Sequence, residues 1–341
     1  MIKTSRNASW NPLLWQSAWG LALILMAATA QAQTCQTATD MDAAARSALE
    51  TTGKRYFDMA AHGDSASLKQ NAIPTLASNF GGIETAIKDN QATLAGAQAT
   101  VRPPFLLTAD GTQPVARAEF LCGVFGSAGQ TRDSAVFVLN NLPPGKYGVA
   151  IVDAKASQDP RTVTMILQQM GAEWRLAGFY ARSSQINGHD ANWFAQRARD
   201  YKAKGQTRNA WLYFHEAISL TTPADFMSNL ATDKLYDEAQ TVQPTDLPVN
   251  GNIVDLSAAG ATYKLTAIFP LAVGSDLDLI VRYQAADVSN TVQTFQTNNA
   301  LIKALLAKFP EFRDAFSGVA ARAVEPSGRD FGTMLPMKEI K

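Results

Sequence analysis

The chain has 341 residues, 46% of them apolar and 18% charged, which excludes a disordered polymer and supplies enough apolar material for two or three cores. Thirty Lys and Arg balance thirty Asp and Glu. The basic field that nucleic-acid binding requires is therefore missing, and nucleic acid is set aside as a partner.

The first predicted element is a leader. Lys3 and Arg6 lie in a polar start, an apolar stretch covers 13–28, and small residues follow at cleavage distance. Ala28-Thr29-Ala30 and Ala30-Gln31-Ala32 both offer the A-x-A pattern, and the second places cleavage near Ala32. The alternative is an uncleaved anchor, although Gln16, Ser17 and Gly20 interrupt the segment and its apolar centre is shorter than the ~20 residues a span needs. No later segment suits a membrane span, so the reading is a periplasmic or secreted chain with no transmembrane span once mature. Cys35 invites lipidation, but Thr34 stands before it where a small residue is usual. Cys122 is the only other cysteine, and an even pair in an oxidising compartment predicts a disulfide. One buried and one exposed thiol is the alternative.

Apolar residues at helical spacing, Leu49, Tyr56 and Met59 among them, predict a long helix from Asp40, as N-cap, to Gly63. Asp64-Ser65 starts a short second helix that Pro74 ends or redirects, and a third runs from about Gly82 to Ala95. After Pro103-Pro104 the pattern changes to strands: 115–125, then 134–140 and 146–153 joined through Asn141-Leu142-Pro143-Pro144-Gly145, then 162–169 and 173–182 around Met170-Gly171-Ala172. Helices followed by antiparallel strands make an α+β class.

The final hairpin, Met165 to Tyr180 with Trp174-Arg175-Leu176-Ala177-Gly178-Phe179 in its second strand, follows one long and two shorter helices. Together they resemble the NTF2-like, or SnoaL-like, cone fold over residues 40–182. The resemblance implies a curved sheet wrapped round helices, a conical pocket that serves enzymes, binders and scaffolds alike, and frequent dimerisation through the sheet. It makes Tyr56, Phe120, Phe137, Trp174 and Phe179 the candidates to line the cone or its core, and leaves a homodimer open. Fold alone does not select among these functions.

Residues 183–190 form a polar connector. Ala198, Tyr201, Gly205, Ala210, Phe214, Ala217 and Pro223 then resemble one tetratricopeptide repeat, with small residues where two helices approach closely and Gly ending the first. One repeat does not make a solenoid, so a helical hairpin over 191–241 is expected to dock on its neighbours, with Phe226, Leu230, Leu235 and Tyr236 in a covering helix. After a second connector, 242–252, strands over 262–269 and 277–283 meet at Gly274-Ser275-Asp276, and a helix with Phe295, Ile302, Leu305, Leu306 and Phe309 on one face precedes strands from Val319. Residues 253–341 thus form a small α/β domain behind the leader (1–32) and the cone domain (33–182).

Chemistry is sparse. His62, His189 and His215 share no ligand-like spacing, so no metal or other cofactor is expected. An acid-base role needs an inward carboxylate with a raised pKa. Asp58 falls off the apolar stripe of the first helix and faces water; Glu119 shares a strand face with Arg117 and either lines the pocket or pairs outside. Asp276 and Asp278 project from one strand face without enough oxygen ligands for calcium. The leading expectation is a non-catalytic exported binding or scaffold protein, with a small apolar ligand or an envelope protein as partner. The alternative is an enzyme of isomerase, cyclase or hydrolase type, with Asp58 or Glu119 as base and Tyr56 as hydrogen-bond donor.

Overall fold

The computed structural model describes residues 33–124, 129–156, 159–249, 251–258, 260–273 and 276–340. The predicted leader, its cleavage site at Ala32, and Gly274 and Ser275 of the last turn lie outside the described residues. The class is mixed α+β, as expected, with eight α-helices and four sheets among the described residues.

The first long helix, α1, covers Ala43–Ala61. Its N-cap is Asp42, which accepts from the Ala45 amide at 2.8 Å, and not the expected Asp40. Asp40 is engaged one turn earlier, where the Thr37 amide and hydroxyl both donate to its carboxylate. Asp64 caps α2 (Ser65–Gln70) as read from the sequence. Pro74 opens α3 (Pro74–Ala77), a position where its missing N–H costs nothing, and α4 follows over Gly81–Ala95.

Eight strands belong to this part: β1 (Gln33–Gln36), β2 (Gln98–Val101), β3 (Phe105–Ala109), β4 (Val115–Cys122), β5 (Ala135–Leu142), β6 (Gly145–Lys155), β7 (Arg161–Met170) and β8 (Glu173–Ser183). They do not form the single curved sheet expected. The first sheet runs β1-β3-β6-β7-β8, and β2 lies on the same edge of β6 as β3, beyond the break at Pro103-Pro104. β4 and β5 pair with each other in a second sheet, so β5 and β6, joined through Asn141 at φ 52°, are consecutive without pairing.

The first sheet is covered on both faces. On β6 and β7, Ala150, Val152, Ala154, Val163, Met165 and Leu167 face the helices, while Tyr147, Val149, Ile151 and Ile166 face Phe105, Phe120 and Phe137 in the core shared with the second sheet. Burial on both sides explains why these strands read as near-continuous apolar runs.

Helix α1 sits close on β6 because glycines admit it. A Cβ on Gly53 would stand 2.7 Å from Ala150 Cβ, and one on Gly148 would stand 2.1 Å from Leu49 Cδ2. Across the other face, Cys35 of β1 and Cys122 of β4 form the expected disulfide, with Cα atoms 5.0 Å apart and a sequence separation of 87.

The connector forms two short strands, β9 (Gln185–Ile186) and β10 (His189–Asp190). Helices α5 (Ala191–Ala203) and α6 (Thr207–Thr221) then flank Gly205, whose φ of +76° ends the first of them. Ala198, Tyr201, Ala210, Phe214 and Ala217 are all buried between and beneath these helices. β11 (Met227–Asn229) pairs with β5 and leads into α7 (Leu230–Gln240). Two residues expected in the covering helix behave otherwise: Phe226 precedes β11 and meets the Tyr180 ring, and Tyr236 is half exposed.

The C-terminal strands are β12 (Val254–Ala258), β13 (Ala261–Val273), β14 (Asp276–Gln284), β15 (Gly318–Val324) and β16 (Asp330–Pro336), in that spatial order. α8 (Thr291–Lys308) provides the crossover between the parallel pair β14 and β15. β12 was not read from the sequence. Phe295, placed on the apolar face of α8 by its spacing, is 47% exposed, because the buried face is set by Leu301, Ile302, Leu305 and Leu306. The hairpin and this sheet share one core, and the Tyr201 and Tyr213 hydroxyls donate to the carbonyls of Asp314 and Ala315. Among the described residues no helix is long and apolar enough to cross a membrane.

Two stability outcomes follow from these contacts. Gly53→Val should lower stability by about 1 to 3 kcal/mol, because neither Ala150 nor the sheet can retreat, whereas Gly82→Ala, with open space around it, should raise stability by about 0.4 to 1 kcal/mol. Urea midpoints read both signs. Replacing Cys35 and Cys122 by Ser should cost about 2 to 5 kcal/mol by the same measurement, and dithiothreitol should abolish the difference between that variant and the parent.

Candidate ligand cleft

Several cationic side chains converge where β6 ends, β7 begins and α7 starts. There a cleft of about 810 Å³ is lined by Asp153 to Ala156 of β6 and its end, Pro160 to Thr162, Ser184 and Gln185 of the connector, Leu220 and Thr221 of α6, and Asn229 to Ala231 of α7. Arg102, Arg132, Asp190 and Lys234 complete it.

Each segment arrives for a local reason. Pro103-Pro104 interrupts pairing along β6, so Arg102 turns there with its amide bonded to the Ile151 carbonyl at 2.8 Å. Asn229 ends β11 and starts α7 through a capping box, accepting from the amides of Ala231 and Thr232 while the Thr232 hydroxyl accepts from its own amide. The positive end of the α7 dipole therefore faces the cleft.

The two carboxylates of the lining already have partners. Asp153 accepts a bidentate pair of bonds from Arg102 at 2.7 and 2.8 Å, and a further bond from Thr162. Asp190 caps α5 by accepting from the Trp193 amide. Arg161 pairs with Asp159, which Ser183 supports, yet the buried Nε of Arg161 has no hydrogen-bond acceptor. Among the described residues Arg132, Lys155 and Lys234 have no ion pair. A second chamber of about 460 Å³ adjoins the first, with Arg102, Arg132 and Asn229 lining both, and with Pro103, Pro104, Phe105, Ile151 and Met227 among its walls.

The residues singled out from the sequence lie elsewhere. Tyr56 is fully buried in the helix-side core and donates to the Trp174 carbonyl at 2.8 Å, and burial raises its pKa. Phe179 shares that core and Trp174 lies at its margin. Phe120 and Phe137 sit across the sheet in the other core. The five aromatics are thus divided by the first sheet, and none lines either chamber. Asp58 pairs with Lys54 at 2.6 Å in an open groove along α1, and Glu119 pairs with Arg117 in solvent at 3.7 Å. Neither carboxylate bonds Tyr56. His62 bonds the Asp58 carbonyl through Nδ1, and His189 stacks on Trp193. Asp278 is buried, with its pKa raised by desolvation and then by Asp276. An apolar groove of about 680 Å³ between β5 and β8, bounded by Leu142, Ile166, Tyr180 and Phe226, is the place that best matches the small apolar ligand expected from the sequence.

The cations of the cleft were not identified from the sequence. They come from positions 102, 132, 155, 161 and 234, and no spacing links them. A carboxylate of raised pKa was also missed: Glu216 of α6 is partly buried without a described ion pair or hydrogen bond, and desolvation lifts its pKa to about 7. Its neighbour His215 is shifted down by burial. Glu216 does not line the cleft. In comparisons with known proteins, no family model, curated protein or solved structure matches this chain.

Because the folded pKa of Glu216 lies above its unfolded value, the stability tied to its neutral form is complete below about pH 4.5 and lost as the pH rises through about 7. Glu216→Gln should therefore stabilise the protein by about 2 to 3 kcal/mol at pH 8 and by almost nothing near pH 4.5, which denaturant titrations at the two pH values will read.

Proposed function

We propose that the chain is a non-catalytic exported binding protein, acting in the periplasm or outside the cell after leader cleavage near Ala32, with its ligand in the cleft beside α7. One observation carries this reading. A cavity of small-molecule size lies where the sheet, the connector and the hairpin meet, and its polar side chains are not fully used by one another. The disulfide supports export.

In this reading residues 40–182 are an NTF2-like domain whose cone is filled by core, so the ligand is held at the end of the sheet and not among Tyr56, Trp174 and Phe179. The filled interior is supported by the complete burial of Leu49, Tyr56, Leu68, Leu167 and Leu176. α5 and α6 are a tetratricopeptide-like hairpin, supported by the buried small residues at Ala198, Ala210 and Ala217. Its inner face is occupied by the C-terminal core, which leaves its ends to shape the cleft. The enzyme alternative draws no support from Asp58 or Glu119, whose carboxylates are paired in solvent.

Native mass spectrometry of the protein recovered from the envelope or medium tests this. The expected result is a mature N-terminus at Gln33 and one bound small molecule, which is lost in Ala231→Trp, a variant that places bulk at the exposed cleft wall. A retained leader, or a bound mass indifferent to Ala231→Trp, would overturn the proposal.

A further inference from the structure

The lining of the cleft beside α7 bears on the chemistry of its occupant. We infer that its ligand is an amphiphilic anion: a carboxylate or phosphate group held among Arg132, Lys155, Arg161 and Lys234, with an apolar body reaching past Arg102 into the adjoining chamber. This rests on the reading of the cleft as the binding site and adds the chemistry of its occupant.

Charge is the first ground. Five cations line the cleft against Asp153 and Asp190. Asp153 is held in a bidentate pair by Arg102 and Arg161 is paired with Asp159, whereas Asp190 caps α5 and keeps its charge, so Arg132, Lys155 and Lys234 outnumber the one remaining carboxylate of the lining. Arg132, Lys155 and Lys234 repel one another around a shared space, and an anion entering it turns that repulsion into attraction.

Directional donors are the second ground. Arg161 is held by Asp159, yet its buried Nε–H lacks an acceptor. A buried donor without a partner is costly, but Nε itself is closed to an atom the size of a water, so a ligand oxygen in the cleft would meet the exposed part of the Arg161 guanidinium. The N-terminus of α7 adds the positive end of its dipole on the same wall. Cations, the exposed part of the Arg161 guanidinium among them, and a helix start thus converge from four segments of chain. Carboxylate and phosphate oxygens are the acceptors suited to such a set.

The second chamber supplies the apolar half. It shares Arg102, Arg132 and Asn229 with the first, and beyond them its walls combine apolar Pro104, Phe105, Ile151 and Met227 with Arg46, Glu50 and Asp133, so an apolar body would lie against the first group and away from the two carboxylates. Inorganic phosphate would leave this space unused. A neutral hydrocarbon would leave the cations unused.

Calorimetric titration of the full chain at low salt with octyl phosphate, octanoate, inorganic phosphate and octanol tests the assignment. Octyl phosphate, octanoate or both should bind more than about tenfold tighter than inorganic phosphate and octanol, and whichever of the two binds identifies the head group. The exposed pair Lys155→Glu and Lys234→Glu should weaken that binding roughly tenfold per reversal while the melting curve stays in place. Octanol binding as tightly as its charged counterparts, inorganic phosphate matching octyl phosphate, or no binding by any charged probe would overturn the inference. Binding lost in Ala231→Trp but untouched by the reversals would remove the anion and leave the cleft standing. Binding untouched by Ala231→Trp would remove both.

Discussion

Three residue pairs, Met227 with Phe137, Ser228 with Val136 and Asn229 with Ala135, join the hairpin to the N-terminal sheets, and the cleft exists because of them. Main-chain bonds of this kind are worth only about 1 kcal/mol each. Their effect here is amplified by what they bring with them. Met227 enters the core between the two sheets, the buried Thr164 hydroxyl donates to the Pro223 carbonyl, and Arg182 pairs with Asp225. Since Asn229 is both the last residue of the strand and the cap of α7, the register of β11 determines where Lys234 and Ala231 stand relative to β6 and β7.

Coverage of the first sheet decides what kind of site remains. With helices on one face and the second sheet on the other, most large aromatics are absorbed into two cores, and the apolar surface of that sheet still open is the groove beside Ile166 and Tyr180. Also open is the end of the sheet, where β6 ends in Lys155, β7 begins with Arg161, and Pro103-Pro104 leaves Arg102 out of the ladder. Polar strand ends, a helix start and an apolar annex are brought together there by packing that takes place elsewhere.

Local patterns were legible in the sequence. The period of α1, the cap at Asp64, the turn at Gly171 between β7 and β8, and the stop at Gly205 each depend on residues a few positions apart, and each appears as read. Pairing was less legible. The Asn141 to Gly145 segment has the composition of a hairpin turn, yet it carries the chain from one sheet to another, because β5 finds partners in β4 and in β11, some ninety residues later. Phe295 and Tyr236 have the right spacing for a buried face and remain exposed, since helix period alone does not say how wide the covered stripe is.

By itself the sequence determined the α+β class, most of the elements and the pairing of Cys35 with Cys122, because hydrophobic period, caps, turn residues and the count of two cysteines are all local or exhaustive signals. Only the tertiary structure decided that the strands divide between two sheets and that the cations at positions 102, 132, 155, 161 and 234 surround one space. The physical reason is that a charge shows no partner preference along the chain. Its meaning depends on which carboxylates lie within a few ångströms once the backbone has folded, and here Arg102 and Arg161 are paired with Asp153 and Asp159 while Arg132, Lys155 and Lys234 have no ion pair among the described residues.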